Sequence, residues 1–144
     1  MGLTYANIEL LNGGDVEMQR RNYMSEDEIR QVEVNMLVDS SALMLVINEE
    51  IRQALGLSII DHRPSQLADG TRLELPVAGS IIVRFEGRFC TTNALVLPED
   101  REPLLGAIPM EEMDLWVNPA RGVLTPVHPE GPVMALKGVT ASPL

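Results

Sequence analysis

Short apolar runs separated by glycine-containing turn signals constrain the fold of this chain more than any other feature. The signals are Asn-Gly-Gly-Asp at 12–15, Asp-Gly at 69–70, Glu-Gly-Arg at 86–88 and Asn-Pro-Ala-Arg-Gly at 118–122. Glycine adopts the positive φ of a tight turn without steric cost. Turns recurring every 8 to 12 residues or so are typical of all-β domains. The sequence therefore predicts a mainly β protein, a closed barrel or sandwich of short strands with one or two short helices.

The turn signals also predict which strands pair. A hairpin is expected wherever a turn signal separates two runs with strand character. The paired runs are 4–11 with 16–23, 64–68 with 71–77, 79–85 with 89–97, and 115–117 with 123–127.

Two further strands and two helices are predicted from local patterns. Alternating apolar residues over 32–38 indicate a strand that runs into Asp39, and the apolar run 43–47 indicates a buried strand after it. Asn48 is placed to cap a helix that Gly56 ends. Pro109 suits the first turn of another short helix that carries residues 110–113.

Charge and composition exclude several classes of partner. The 144 residues carry 21 acidic and 11 basic side chains, a net charge of −10, and no basic cluster. Nucleic acid and anionic membranes attract clustered Lys and Arg, so neither is expected as a partner. No secretory signal is visible at the N-terminus, and no apolar run approaches the roughly 20 residues of a membrane span. With Cys90 as the single cysteine, the expected location is the cytoplasm.

One segment stands out as a candidate site, because it places an acid in a tight turn at a strand end. This is Leu-Val-Asp-Ser-Ser-Ala at 37–42, which contains Asp39, Ser40, Ser41 and Ala42. It resembles the Asp-Thr/Ser-Gly motif of the retropepsin-like aspartic proteases, particularly their small bacterial members.

The resemblance extends over most of the chain. The apolar strand 94–97, followed by Leu104, Leu105 and Gly106, is similar to the family's motif that packs behind the catalytic loop. The predicted hairpin whose tip holds Ala68, Asp69 and Gly70 falls where the family has its flap. The resemblance divides the chain into an N-terminal hairpin and linker extension at 1–33, a protease domain at 34–125 and a Pro/Gly-rich tail at 126–144.

The implied activity is that of an aspartic endopeptidase acting on extended peptide or protein substrates. This chemistry needs two carboxylates that share a proton, one acting as base on a water while the other polarises the scissile carbonyl. A chain with one such motif must form a two-fold homodimer, in which Asp39 faces its symmetry mate. Ser40 would hydrogen-bond across the axis. No cofactor is expected, and two distant histidines without paired cysteines predict no metal site.

Ser41 departs from the family pattern, which has glycine at this position. The added side chain lies where the loop approaches both its dimer mate and the substrate. The alternative function is therefore a catalytically silent module that keeps the fold for dimerisation or peptide binding.

Less specific interpretations stand beside these. Asp39 could be a turn-forming residue that accepts hydrogen bonds from local amides. His62, His128 and Cys90 have no spacing typical of a nucleophilic set, and Cys90 is expected to be a small buried residue. Trp116 is expected in the core or at a dimer interface. A plain structural β domain, which would be monomeric, is the third alternative.

Overall fold

A computed structural model describes residues 2–141 and shows a mainly β protein. The far end of the predicted tail, 142–144 with Pro143, lies outside the described residues. Over the part that is described, no helix is both long and apolar enough to cross a membrane.

The elements follow in an order dominated by strands. They are β1 (Tyr5–Asn12), α1 (Gly13–Arg20), β2 (Gln31–Val38), β3 (Leu45–Asn48), α2 (Glu49–Leu55), β4 (Ser58–Gln66), β5 (Arg72–Phe85), β6 (Arg88–Leu97), β7 (Leu104–Leu105), α3 (Ala107–Glu112), β8 (Leu115–Asn118) and β9 (Val123–Pro126). A 3₁₀ turn also spans Glu26–Glu28, between α1 and β2.

Seven strands form one sheet in the order β1-β2-β7-β3-β6-β5-β4, and β8 pairs with β9 in a second, two-stranded sheet. β1 also pairs antiparallel with β5, so the series of paired strands returns to the strand where it began. The very short β7 lies between β2, to which it is parallel, and β3, to which it is antiparallel. The loop from β2 to β3 must therefore pass around the end of β7.

The core is aliphatic and is built mainly from strands other than β4, which is almost entirely exposed. Ile8, Met36, Ile47, Val83 and Leu105 come from five different strands and are fully buried. Full burial of such a side chain contributes about 1.5–3 kcal/mol to folding. Alternation of buried and exposed residues along β1 and β2 places every second side chain in this core.

The predicted N-terminal hairpin is wrong in its second half. Asn12 caps a helix, since its side chain accepts a hydrogen bond from the Asp15 amide at 3.0 Å. Residues 16–20 therefore continue α1 instead of returning as a strand. The two glycines suggested a hairpin turn, but Asn12 caps a helix at this position. Gly13 is required for a different reason, because a Cβ there would lie 2.4 Å from the Ser80 Oγ.

β1 pairs with β2 and β5, in place of the predicted partner strand. Its pairing brings the start of the chain close to the end of β2, where the Val38 amide donates to the Thr4 carbonyl at 2.8 Å. The N-terminal strand is thus an integral part of the main sheet.

Most of the other predicted elements are confirmed. β2 ends at Val38, Asn48 caps α2 by accepting from the Ile51 amide at 2.8 Å, and Gly56 ends that helix with φ of 63°. The three later hairpins are present. The predicted runs 71–77 and 79–85 join in the single strand β5, whose pairing with β6 is irregular between Ala78 and Ile81.

Candidate active site

Asp39 begins the turn that follows β2, and backbone hydrogen bonds hold this turn on both sides. Its amide donates to the Leu105 carbonyl at 3.0 Å, and its carbonyl accepts from the Ala42 amide at 3.1 Å. The side chain of Asp39 is half-buried, while Ser40 and Ser41 are exposed. The turn therefore presents a carboxylate at the surface from a fixed backbone.

The segment containing Leu104, Leu105 and Gly106 lies directly behind this turn. The Ala107 amide donates to the Ala42 carbonyl at 2.8 Å, and the Ile108 amide donates to the Leu43 carbonyl at 2.9 Å. A Cβ on Gly106 would lie 2.2 Å from the Met44 carbonyl oxygen and 2.8 Å from that of Ala42. Only glycine permits this close approach of the two backbones.

The Asp39 carboxylate accepts two hydrogen bonds from one neighbour. The Ser41 amide donates to Oδ1 at 3.0 Å, and the Ser41 hydroxyl donates to the same oxygen at 2.6 Å. Asp39 therefore accepts a hydrogen bond from a local amide, as the less specific interpretation of a turn-forming Asp predicted. None of the described residues donates to Oδ2, which leaves that oxygen available to a water, a substrate or a second carboxylate.

The hairpin formed by β4 and β5 has an exposed tip at Ala68, Asp69 and Gly70. The Thr71 amide donates to Asp69 Oδ1 at 2.9 Å, and this hydrogen bond lowers the pKa of the Asp69 carboxyl. Gly70 has φ of 88°, a conformation that favours glycine. Among the described residues, the hydrogen bonds of Ala68, Asp69 and Gly70 therefore stay within the turn itself.

A cavity of about 570 Å³ lies between the Asp39 turn and this hairpin. Asp39 and Ser41 line it on one side, Ala68 lines it on the other, and Asp69 and Gly70 do not line it. Its remaining lining is mostly aliphatic and comprises Ala42, Leu43, Met44, Val46, Arg63, Pro64, Ser65, Gln66, Leu67, Leu75, Leu95, Leu97 and Leu104. The size suits several side chains of an extended peptide.

Large apolar side chains are exposed beside the turn. Leu43 is 66% exposed, Ile108 40% and Trp116 44%. Trp116 and Ser40 line a second cavity, of about 340 Å³, so the tryptophan is close to the turn. Trp116 was expected in the core or at a dimer interface, and its exposure shows that the expectation of the core is wrong.

Cys90, His62 and His128, which were considered as a nucleophile and bases, form no hydrogen bonds with one another among the described residues. Cys90 is buried, as predicted, and burial raises the pKa of its thiol to about 12. His128 instead bonds through Nδ1 to Asp114 Oδ2 at 2.6 Å, and His62 is exposed on β4. No group of three or more His, Cys, Asp or Glu side chains within residues 2–141 is arranged to hold a metal ion.

Arg63 is the lining residue that sequence reasoning missed. It pairs across the hairpin with Leu75, a buried residue that also lines the cavity. Residues directly opposite in an antiparallel pair project on the same face. Counting back from a two-residue Asp-Gly turn places Arg63 opposite Pro76, whereas the observed turn is one residue longer and the register places Arg63 opposite Leu75, on the cavity side.

Comparison with known proteins identified no matching family model and no curated protein of similar sequence.

Proposed function

We propose that this chain is one half of a homodimeric, retropepsin-like aspartic endopeptidase in which Asp39 and its symmetry mate form the catalytic pair. The observation that carries the proposal is the turn itself. Its backbone is held from behind by Leu105 and Ala107, and its carboxylate faces a cavity that a β-hairpin spans. The motif order inferred from the sequence and the spatial arrangement support the same reading.

The chemistry requires the second subunit. One carboxylate removes a proton from water as the water oxygen bonds to the scissile carbonyl carbon, while the other, protonated, donates to the carbonyl oxygen. As the tetrahedral intermediate breaks its C–N bond, the carboxyl that took the water proton gives it to the leaving nitrogen. The other carboxylate recovers its own proton from the hydroxyl of the intermediate. A single Asp39 cannot be both base and acid in one step. Two copies about 3 Å apart share one proton and supply both roles.

The surface around the turn supports a two-fold interface. Leu43, Ile108 and Trp116 are large, apolar and exposed. The exposed Ser40 lines a cavity together with Trp116. Apolar and aromatic residues of this kind are enriched where protein surfaces become buried on association. In the dimer Ser40 would hydrogen-bond across the axis.

The cavity and hairpin support an extended peptide as substrate. Aliphatic walls accept apolar side chains, and strand backbone at the hairpin can pair with a peptide backbone. A hairpin whose tip forms only local hydrogen bonds can lift to admit the peptide.

The fold in this proposal is a closed barrel. The β1–β5 pairing is its support, because it joins two strands that the rest of the series leaves apart. The cytoplasm is the proposed location, since the only cysteine is buried and cannot form an intrachain disulfide.

A silent peptide-binding or dimerisation module is the second candidate, and one observation favours it. The 2.6 Å hydrogen bond from the Ser41 hydroxyl holds an oxygen of the carboxylate that catalysis would use. Peptide binding without turnover would be its signature.

Asp39→Asn is the test of the enzyme, because it keeps the shape of the side chain and removes its acid–base chemistry. Wild type and variant are incubated with a library of unstructured peptides from about pH 3 to pH 7, and mass spectrometry reads the products. We expect cleavage by wild type alone. Equal inactivity of the two proteins would overturn the protease.

Sedimentation of the same samples tests the dimer, which should have about twice the 15.8 kDa mass of the chain. A monomer at high concentration would exclude both dimer-based functions and leave the structural β domain.

A further inference from the structure

The cavity next to Asp39 contains a single basic side chain, that of Arg63. Arg63 lies on β4 and shares a face with Leu75, which is 4% exposed and forms part of the cavity wall. Its Nη1 lies 3.2 Å from the Met44 Sδ, and Met44 lines the same cavity. The guanidinium is therefore held at the wall by a weak thioether acceptor.

No carboxylate of the described residues forms an ion pair with Arg63. Six of the eleven basic side chains form ion pairs, those of Arg20, Arg21, Arg30, Arg52, Arg84 and Arg88. Arg72, Arg101, Arg121 and Lys137 resemble Arg63 in forming none among the described residues. Asp61 is two residues away on the same strand and still forms no ion pair with Arg63. Of the basic residues that form no ion pair among the described residues, Arg63 is the one that lines the cavity, and no ion pair joins it to Asp39 in the same lining. A guanidinium pairs best with a planar carboxylate, which a bound peptide can supply.

We propose that Arg63 selects peptides that carry an acidic side chain within an otherwise aliphatic segment. The proposal rests on the proposed function for its site and names the substrate class. Leu43, Leu75 and the other aliphatic residues take the apolar side chains, and Arg63 binds the carboxylate. Two-fold symmetry supplies two copies of Arg63, so acidic residues are favoured at two positions equally distant from the scissile bond.

The first experiment compares matched peptides. A fluorogenic series of aliphatic peptides is built in which one Glu or one Gln is moved along the sequence. Wild type should cleave the Glu peptide faster than the Gln peptide at one symmetric pair of positions, by about three- to tenfold, as for a charge-assisted hydrogen bond to an exposed side chain such as Arg63. In Arg63→Gln the ratio of the Glu-peptide rate to the Gln-peptide rate should fall to about one, as expected when a charged partner is lost. In Arg63→Glu the Gln peptide should be cleaved faster than the Glu peptide.

Arg72→Gln is the control. Arg72 is an exposed arginine on the other strand of the same hairpin and does not line the cavity, so its loss should leave the ratio unchanged. Equal Glu-to-Gln ratios in wild type and Arg63→Gln would overturn the proposal. So would an equal fall of the ratio in Arg72→Gln, because the effect would then come from the general charge of the hairpin.

Binding separates this proposal from the protease itself. The same labelled peptides are titrated into Asp39→Asn protein, with and without Arg63→Gln, and fluorescence anisotropy gives the affinity. If no peptide is cleaved but the Glu preference of binding depends on Arg63, the substrate class stands and the protease fails. If no peptide is bound or cleaved, both fail.

Discussion

Ser41 donates two hydrogen bonds to a single oxygen of Asp39, one from its amide at 3.0 Å and one from its hydroxyl at 2.6 Å. The amide bond belongs to the turn and needs no side chain. The hydroxyl bond exists only because residue 41 is serine. This hydrogen bond restricts the rotation of the carboxylate and leaves Oδ1 less available to accept a hydrogen bond from another donor.

Ser41→Gly should therefore raise kcat/KM for peptide cleavage or leave it unchanged, with a gain of about two- to tenfold at most. Removal of the hydroxyl frees Oδ1 from that hydrogen bond, and removal of the Cβ would give the facing subunit of the proposed dimer more room. Steady-state cleavage of a fluorogenic peptide measures the change. Ser41→Ala separates the two causes, because it loses the hydroxyl and keeps the Cβ.

A loss of activity of more than about tenfold in Ser41→Gly, with an unchanged melting temperature, would contradict this expectation. Such a loss would exceed what one hydrogen bond normally contributes at an exposed site. It would show that the serine hydroxyl is adapted to the reaction.

Gly106→Ala should destabilise the protein and displace the turn together. The new Cβ would meet backbone oxygens of Met44 and Ala42, which cannot rotate away as a side chain would. Overpacking of this kind costs about 1–3 kcal/mol, and more where backbone must move. Denaturant unfolding measures the stability, and the peptide assay measures the site.

Gly138→Ala is the matched control, since a Cβ at Gly138 would have no atom within 4 Å. Its stability should equal that of wild type. A normal melting temperature in Gly106→Ala would mean that the turn can shift freely, contrary to the close backbone packing.

Asp15→Asn should lower the free energy of unfolding at neutral pH by about 1–3 kcal/mol. The Asp15 side chain is only 6% exposed. It accepts from the amide, Nε and Nη2 of Arg30 at 3.0, 2.8 and 2.9 Å. The hydrogen bonds from the Arg30 side chain hold the pKa of this carboxyl below its ordinary value of 3.8.

Because the pKa of Asp15 is lower in the folded state, its contribution is complete above pH 3.8 and is lost as the pH falls through the folded value. The difference between wild type and Asp15→Asn should thus shrink in acid, and unfolding curves at about pH 7 and pH 3 would measure it. Asp100→Asn removes the same charge from an exposed loop and should change little. A difference that stayed constant with pH would assign the effect to packing rather than to charge.

Local signals predicted the framework of the fold well. β2 ends at Val38, Asn48 caps α2 and Gly56 ends it, because each of these features depends on a few neighbouring residues. α1 was missed because Asn12 and the glycines after it satisfy both a hairpin turn and a helix cap. The choice was decided at long range, by the fit of Gly13 against Ser80 and of Asp15 against Arg30.

In the candidate site too, the residues with local motifs were predicted from the sequence, and the features that depend on long-range structure were not. Asp39 and the Gly106 segment could be named from their motifs, and their contact depends on β7 lying between β2 and β3. The hydroxyl bond from Ser41 depends on a side-chain rotation that no pattern records. Arg63 was missed because its place in the cavity follows from strand register and not from any local motif.

The hydrogen bond from Val38 to Thr4 bears on how this protein should be labelled. It anchors the amino-terminal strand one residue before Asp39, so a purification tag or fusion partner joined ahead of that strand emerges beside the surface where two subunits would meet. The turn at Gly87 lies at the opposite end of β5 from the cavity hairpin, and a Cβ there would meet no atom within 4 Å. An inserted epitope or fluorophore at that turn would leave the proposed subunit contact undisturbed.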